Sequence, residues 1–202
     1  YSGLLKRWGK SDPDVLDEAI DSIAREADNM KRIVEQLLLL ARIGRYMLNP
    51  EDINVGDEIE KTIDGYELVC KTHSFALETE PGIIALADKN LFTECIRAVA
   101  DNAIKYSDEN TTIRFTVHAD DSYAVIKIID SGKGISPSDL PHIFDRFYRC
   151  DKSRGRDKHS SGLGLTIAKS AVEMMNGTIE AESEQGVGST FTLRFPLKEK
   201  KS

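Results

Sequence analysis

The chain has 202 residues, 40% of them hydrophobic and 30% charged, and a formal net charge of −7 at pH 7. Those values fit a globular domain with an appendage. They exclude the basic face on which nucleic-acid binding depends, and no apolar run is long enough to span a membrane.

The first residue is Tyr1 rather than Met and no signal peptide is visible, so an upstream part is expected. Ser11-Asp12-Pro13 reads as a helix start, a capping side chain followed by Pro in the first turn. Leu16, Ile20, Ile23, Ala27, Met30, Val34, Leu37 and Ala41 then recur alternately four and three apart, which is a heptad seam. Ile33, Leu38 and Leu40 widen the stripe and favour a helical bundle. A helix of roughly 30 residues is long for packing on its own compact domain. Residues 1–44 are therefore expected to be part of a dimerising helical hairpin, and residues 45–50 a linker.

From residue 51 the pattern mixes strands and helices. Ile53 and Val55 alternate on a short strand, and Gly56-Asp57 opens a helix to about Lys71. Ser74 to Thr79 and Ile83 to Ala87 read as paired strands around the turn Glu80-Pro81-Gly82. Asp88 caps a helix whose inward face is Leu91, Phe92, Cys95, Ile96, Val99 and Ala103. Thr111 to His118 and Tyr123 to Ile129 form a hairpin around Asp120-Asp121. A loop with a short helix runs to about Ser161, a helix spans Gly162 to Met175, and a last hairpin turns at Gly186-Val187-Gly188. About seven strands and three helices after the linker predict an α+β fold, a two-layer sandwich with one mixed sheet and helices on one face. Cys70, Cys95 and Cys150 are odd in number and widely spaced. They suit a reducing compartment and make neither a disulfide framework nor a zinc pattern.

Four stretches offer chemistry, and each has an ordinary structural explanation when taken alone. Asp130 ends an apolar strand before Ser131-Gly132-Lys133-Gly134. Its carboxylate suits an exocyclic amine such as that of adenine, and the glycines let backbone approach a flat ligand; a simple Asx turn would look the same. On the helix end Asp101 to Tyr106, Asn102 offers an oxygen for a hard cation such as magnesium, and Lys105 shares its face. Arg146, Arg149, Lys152, Arg154, Arg156 and Lys158 form a basic segment fit for phosphate, with Ile143, Phe144 and Phe147 at its root. Ser161-Gly162-Leu163-Gly164-Leu165 opens a helix whose free N–H groups favour anions. It is no P-loop, because no Gly-Lys-Ser/Thr follows. It is no dinucleotide fingerprint, because Ile167 replaces the third glycine. His73, His118, His142 and His159 have no metal-ligand spacing and no nearby nucleophile.

The order and spacing of these stretches resemble the sensor histidine kinases of two-component signalling, in the fold they share with gyrase-type ATPases. Asp101-Asn102-Ala103-Ile104-Lys105-Tyr106 resembles the asparagine box, Asp130 to Gly134 the first glycine box, and Phe144-Asp145-Arg146-Phe147 the phenylalanine box. Ser161 to Leu165 resembles the second glycine box, and Gly186 to Phe191 the closing glycine hairpin. The likeness covers residues 51–202 as an ATP-binding catalytic domain and extends to the preceding helix. It implies ATP and magnesium as cofactors, with Asn102 on the metal and Asp130 on the adenine amine. Lys105, Tyr106 and Arg149 would contact the phosphate or ribose region, with Asn102, Lys105 and Arg149 as catalytic residues. Gly162 and Gly164 would support the phosphates; Gly132, Gly134, Ile135, Leu163, Leu165 and Thr190 complete the nucleotide-contacting set. Residues 135–160 would be a lid that orders on ATP. A response-regulator receiver domain and a second copy of the chain are the implied partners. The implied place is the cytoplasmic side of a membrane-anchored sensor.

Two features depart from the family pattern. Ala98 stands where a second Asn or an acidic residue is usual, four before Asn102. No His followed by an acidic residue and Thr-Pro occurs, so the acceptor helix is expected upstream of Tyr1 and this stretch is not expected to phosphorylate itself. The alternatives are an ATP-sensing module without catalysis and a gyrase-like ATPase, the latter weakened because Ala98 offers no base for water.

Overall fold

A computed structural model describes residues 13–43, 46–150 and 162–198. The elements are α1 (Pro13–Ile43), β1 (Pro50–Asn54), α2 (Val55–Val69), β2 (Ser74–Thr79), β3 (Ile84–Asp88), α3 (Lys89–Tyr106), β4 (Thr112–Ala119) and β5 (Tyr123–Asp130). A short 3-10 turn (Leu140–His142), α4 (Gly164–Met174), β6 (Thr178–Glu184) and β7 (Gly188–Pro196) follow. The Ser11-Asp12 cap, Gly44 and the cations Lys152, Arg154, Arg156 and Lys158 lie outside the described residues.

The expected α+β class holds. A mixed sheet of five strands, ordered β2-β4-β5-β7-β6, is parallel only at β2–β4. Alternation sends Ile113, Phe115 and Val117 of β4, Ala124, Ile126 and Ile128 of β5, and Phe191, Leu193 and Phe195 of β7 to one face. There they join the apolar faces of α2, α3 and α4 in one core. All six residues expected on the inward face of α3 are at most 2% exposed. The Phe92 and Phe195 rings stand 4.9 Å apart and tie helix to sheet. The other face of the sheet is mixed, with Thr112 and Arg114 exposed, Lys127 and Arg194 half-buried, and Val125 buried among them.

Three local expectations are corrected. The strands around Glu80-Pro81-Gly82 do not pair with each other. β2 lies parallel to β4, with Phe75 beside Ile113 and Leu77 beside Phe115, while β3 pairs antiparallel with β1 in a separate two-stranded ribbon. The turn reverses the chain but does not choose the partner. A parallel neighbour needs a crossover of a dozen or more residues, and β3 with α3 supplies it. The expected single sheet is therefore five strands plus a ribbon, joined by a bridge from Ala85 to Leu197. Val55, expected on a strand, is the fully buried first residue of α2, behind the capping side chain of Asn54. The last helix starts at Gly164, because Gly162 sits at φ +68.

α1 is one continuous helix, as the heptad seam implies. It lies against α4 and buries Ala19, yet Ile20, Met30 and Val34 are each at least 50% exposed, and Ile23, Leu37 and Leu38 are exposed too.

Asp88 joins the stretch at 46–49 to α3. Its Oδ1 accepts from the N–H groups of Asn90 and Leu91, both at 3.1 Å. Oδ2 accepts from the N–H of Asn49 at 3.0 Å and the hydroxyl of Tyr46 at 3.3 Å. The side chain is buried, so truncation removes a helix cap and orphans two further donors. Asp88→Ala is expected to lower unfolding free energy by about 2–3 kcal/mol in urea titrations, and Asp88→Asn by less.

Candidate functional site

The last turns of α3 form one wall of the site. Ala103 is buried, which sets the rotation of the helix and leaves Asn102 half-buried one position earlier. Asp101 accepts a 2.6 Å hydrogen bond from the Tyr66 hydroxyl and pins this end of α3 to α2. Burial, and then the Asp101 charge, push the Tyr66 hydroxyl far above its ordinary value. The Lys105 ammonium lies 4.8 Å from the centre of the Tyr106 ring and 3.4 Å from its hydroxyl.

The second wall is the end of β5. Asp130 is 7% exposed. Its Oδ1 accepts from the N–H of Gly132 at 2.8 Å and of Ser189 at 3.3 Å. Burial raises the carboxyl above the usual aspartate value, and the two backbone donors, with the Ser189 hydroxyl, pull it back only in part. The loop after Asp130 is held on both sides. The N–H of Lys133 donates to the Tyr106 carbonyl at 3.1 Å, and the Lys133 carbonyl accepts from Gly186 at 2.7 Å. A Cβ at position 132 would lie 2.3 Å from the Tyr106 oxygen, and one at position 134 would lie 2.0 Å from the Glu184 oxygen. Gly134 also has φ +63, so both the space and the backbone angle require glycine there.

Beyond Ile135 the chain is braced by side chains. Asp139 accepts from the hydroxyls of Ser136 at 2.7 Å and Tyr148 at 2.6 Å. That bond to Asp139 pushes the Tyr148 hydroxyl up to about 12. His142 Nδ1 and Asp145 Oδ2 are 2.9 Å apart. Phe144 packs on the core, and its carbonyl accepts from Thr166 at 3.0 Å. Phe147, at φ +63 and 63% exposed, donates its N–H to the Gly162 carbonyl at 3.1 Å. Phe147 and Gly162 are thus held together across fourteen intervening residues of sequence. Leu163 is fully buried there and stands at the N-cap of α4 with a side chain that cannot cap it.

The structure joins the two walls at Tyr106, the last residue of the helix that carries Asn102 and Lys105: its carbonyl meets the loop at Gly132 and Lys133, between Asp130 and the stretch Gly134–Ile135. Gly162, Leu163, Gly164 and Leu165 enter through the separate junction with Phe147, and Arg149 lies two residues past Phe147. Thr190 pairs with Ile129 and Glu182, and alternation points it away from the face Ser189 occupies. The residue opposite Asp130 is Ser189, which sequence reasoning passed over along with Ser183. The glycine hairpin signalled the turn, but only the β5–β7 register shows which hydroxyl meets the carboxylate. Among the described residues no group of three or more His, Cys, Asp or Glu could hold a metal on its own.

Two outcomes follow from this geometry. Gly134→Ala is expected to lower unfolding free energy by at least about 2 kcal/mol in urea titrations. Asp130→Asn is expected to melt no lower than the wild type at neutral pH. The raised folded-state pKa means the folded form binds more protons than the unfolded form. Wild-type stability therefore falls as pH rises from the unfolded aspartate pKa through the folded one. Thermal melts across pH check that the variant lacks this fall.

Residues 87–199 match the family described as histidine kinase-, DNA gyrase B-, and HSP90-like ATPase. The signal transduction histidine-protein kinase ArlS of Staphylococcus epidermidis (strain ATCC 12228 / FDA PCI 1200) is 36% identical over 98% of this chain and 44% of its own length. ArlS of Staphylococcus aureus (strain USA300) is 33% identical over 96% of this chain and 44% of its own. The chain thus spans less than half the length of these relatives. Among solved structures, the Acinetobacter baumannii histidine kinase AdeS superposes with a TM-score of 0.76 at 22% identity, over 98% of this chain and 91% of that one. Full-length ShkA in complex with AMPPNP gives 0.79 at 21%, over 92% of this chain and 40% of that one. Both share the fold described above, and the chain belongs to the histidine kinase-, DNA gyrase B- and HSP90-like ATPase family.

Proposed function

We propose that this chain is the ATP-binding catalytic region of a sensor histidine kinase. In the whole protein it would present the γ-phosphoryl group of ATP to a histidine on a helical hairpin. From there the group would pass to an aspartate of a response-regulator receiver domain. The observation that carries the reading is Asp130, a buried carboxylate clasped by a glycine loop at the end of an apolar strand. Its Oδ1 takes both backbone bonds, and its second oxygen is the acceptor for the adenine 6-amino group.

The remaining roles follow the site's layout. Gly132 and Gly134 let the loop press against the backbone of Tyr106 and Glu184, which fixes its place beside Asp130. Lys105 and Arg149 bring positive charge to the phosphates, and Tyr106 borders the ribose region. The start of α4 after Gly162 presents helix N-terminal N–H groups, which suit anions. Asn102 supplies one oxygen for magnesium, and a lone amide suits an ion held mainly by phosphate oxygens and water. Bound there, the ion would neutralise charge on the phosphates. In the transfer, an imidazole nitrogen bonds to the γ-phosphorus as the bond to the bridging oxygen breaks, and ADP leaves with that oxygen. The chain's part is positioning and charge neutralisation.

Ala98 lies one helical turn before Asn102, half-buried against the core. A methyl group cannot activate water, which favours phosphoryl transfer over gyrase-like hydrolysis. The exposed stripe from Ile20 to Leu38 supports a partner helix on α1 and assembly as a dimer. No described helix is long and apolar enough to cross a membrane. Anchoring of the whole protein would fall to other segments.

With γ-labelled ATP, the 202-residue chain should acquire no acid-labile label, whereas an added helical hairpin bearing an acceptor histidine should become labelled. Label on the chain itself contradicts the reading. Asp130→Asn should weaken ATP binding about 10- to 100-fold by calorimetry, the loss of a hydrogen bond to a charged group. Wild-type ATP affinity should fade on acidification at a higher pH than an ordinary aspartate would dictate, because the carboxyl titrates high. For α1, Val34→Glu with Leu37→Glu should lower the mass seen by light scattering. A wild-type chain that is monomeric at high concentration counts against the dimer.

A further inference from the structure

Ser183, the second-last residue of β6, makes three hydrogen bonds through one hydroxyl. Its Oγ accepts from the N–H of Ile135 at 2.8 Å, donates to the Gly188 carbonyl at 2.8 Å, and lies 3.1 Å from the Ser189 Oγ. A hydroxyl has one proton and two lone pairs. The proton is committed to a carbonyl and one lone pair to an N–H, and the Ser189 hydroxyl, which also bonds the Asp130 carboxylate, lies against the remaining side.

Its partners flank Asp130 on both sides. Ile135 directly follows the glycine loop, and Gly188 and Ser189 start β7 opposite Asp130. Backbone at Gly188 passes so close to Asp130 that a Cβ would lie 2.1 Å from its carbonyl oxygen, and the Ser189 N–H is one of the two donors to the carboxylate. β6 is an edge strand beside β7, and this end of the hairpin is held to the loop by bonds of its own. The Lys133–Gly186 hydrogen bond is one of them.

We infer that Ser183 is a positioning residue for recognition of the nucleotide base: it fastens the β6–β7 hairpin to the glycine loop, so that the Gly132 and Ser189 N–H groups orient the Asp130 carboxylate. The inference rests on the reading of Asp130 as the adenine acceptor. Ser183 itself touches no nucleotide in this account. What it controls is discrimination between a 6-amino and a 6-oxo purine, because that choice depends on the angle at which the carboxylate is presented.

The test compares binding of ATP and inosine triphosphate, with magnesium, to the wild-type chain, Ser183→Ala and Ser183→Thr. The wild type is expected to prefer ATP. Ser183→Ala is expected to weaken ATP binding about tenfold while leaving inosine triphosphate nearly unchanged, so that the preference collapses. Ser183→Thr, which keeps the hydroxyl, restores it. A general loosening of the fold weakens both nucleotides alike, so a preference that survives in Ser183→Ala overturns the inference while leaving the Asp130 reading intact. A wild type that binds both nucleotides equally overturns the Asp130 reading and this inference together. Should Ser183→Ala not fold, amide exchange in the wild type decides: the Ile135 N–H must be protected along with that of Ser189, and rapid exchange at Ile135 sinks the proposal.

Discussion

A buried carboxylate has to be surrounded by donors, and at Asp130 those donors are backbone N–H groups brought in by two separate segments. One belongs to the loop that follows β5, the other to the start of β7. Both come near enough because glycine stands where they press against neighbouring backbone, at Gly132 against Tyr106 and at Gly188 against Asp130 itself. The whole candidate site is arranged around this clasp. The loop bonds back to the last residue of α3, which carries Asn102 and Lys105, and forward to the β6–β7 hairpin through Gly186 and Ser183. A change at any of these contacts alters how the carboxylate is presented, even without touching a ligand.

The clasp needs a rigid floor, and α3 provides it. Seven of its residues are buried, and its two ends are fixed by different means. At the start, Asp88 caps the helix and holds the backbone at Asn49. At the end, Asp101 takes the Tyr66 hydroxyl, so α2 braces the turn that bears Asn102. A helix fixed at both ends presents its polar residues at constant height above the sheet, a requirement for chemistry that works mainly by positioning. The same helix carries the parallel crossover between β2 and β4, which links the site's geometry to the topology of the sheet.

The segment between Phe144 and Gly162 obeys a different constraint. Its root is anchored by Phe144 on the core and by the Thr166 hydroxyl on the Phe144 carbonyl. Its two ends meet where Phe147 bonds to Gly162. Both anchors hold the chain on either side of this segment to α4 and the core.

Much of this was legible in the amino-acid order. The heptad seam of α1, the inward face of α3, the Asp88 cap, the Asp120-Asp121 and Gly186–Gly188 hairpins and the α+β class all depend on local periodicity, capping and turn chemistry, which neighbours in the chain determine. The family resemblance rested on the same kind of signal, short stretches at fixed spacing. Pairing between distant strands was not legible. Glu80-Pro81-Gly82 signalled a turn, yet β2 went to β4 and β3 to β1, because partner choice is settled by how Ala85, Ala87, Leu77 and Phe115 pack in three dimensions. For the same reason only the register shows that Ser189 stands directly across from Asp130, with Thr190 on the opposite face. A shift of one residue in register turns a side chain to the other face of a sheet. Local sequence determined which residues have the chemistry, and tertiary packing decided which of them meet.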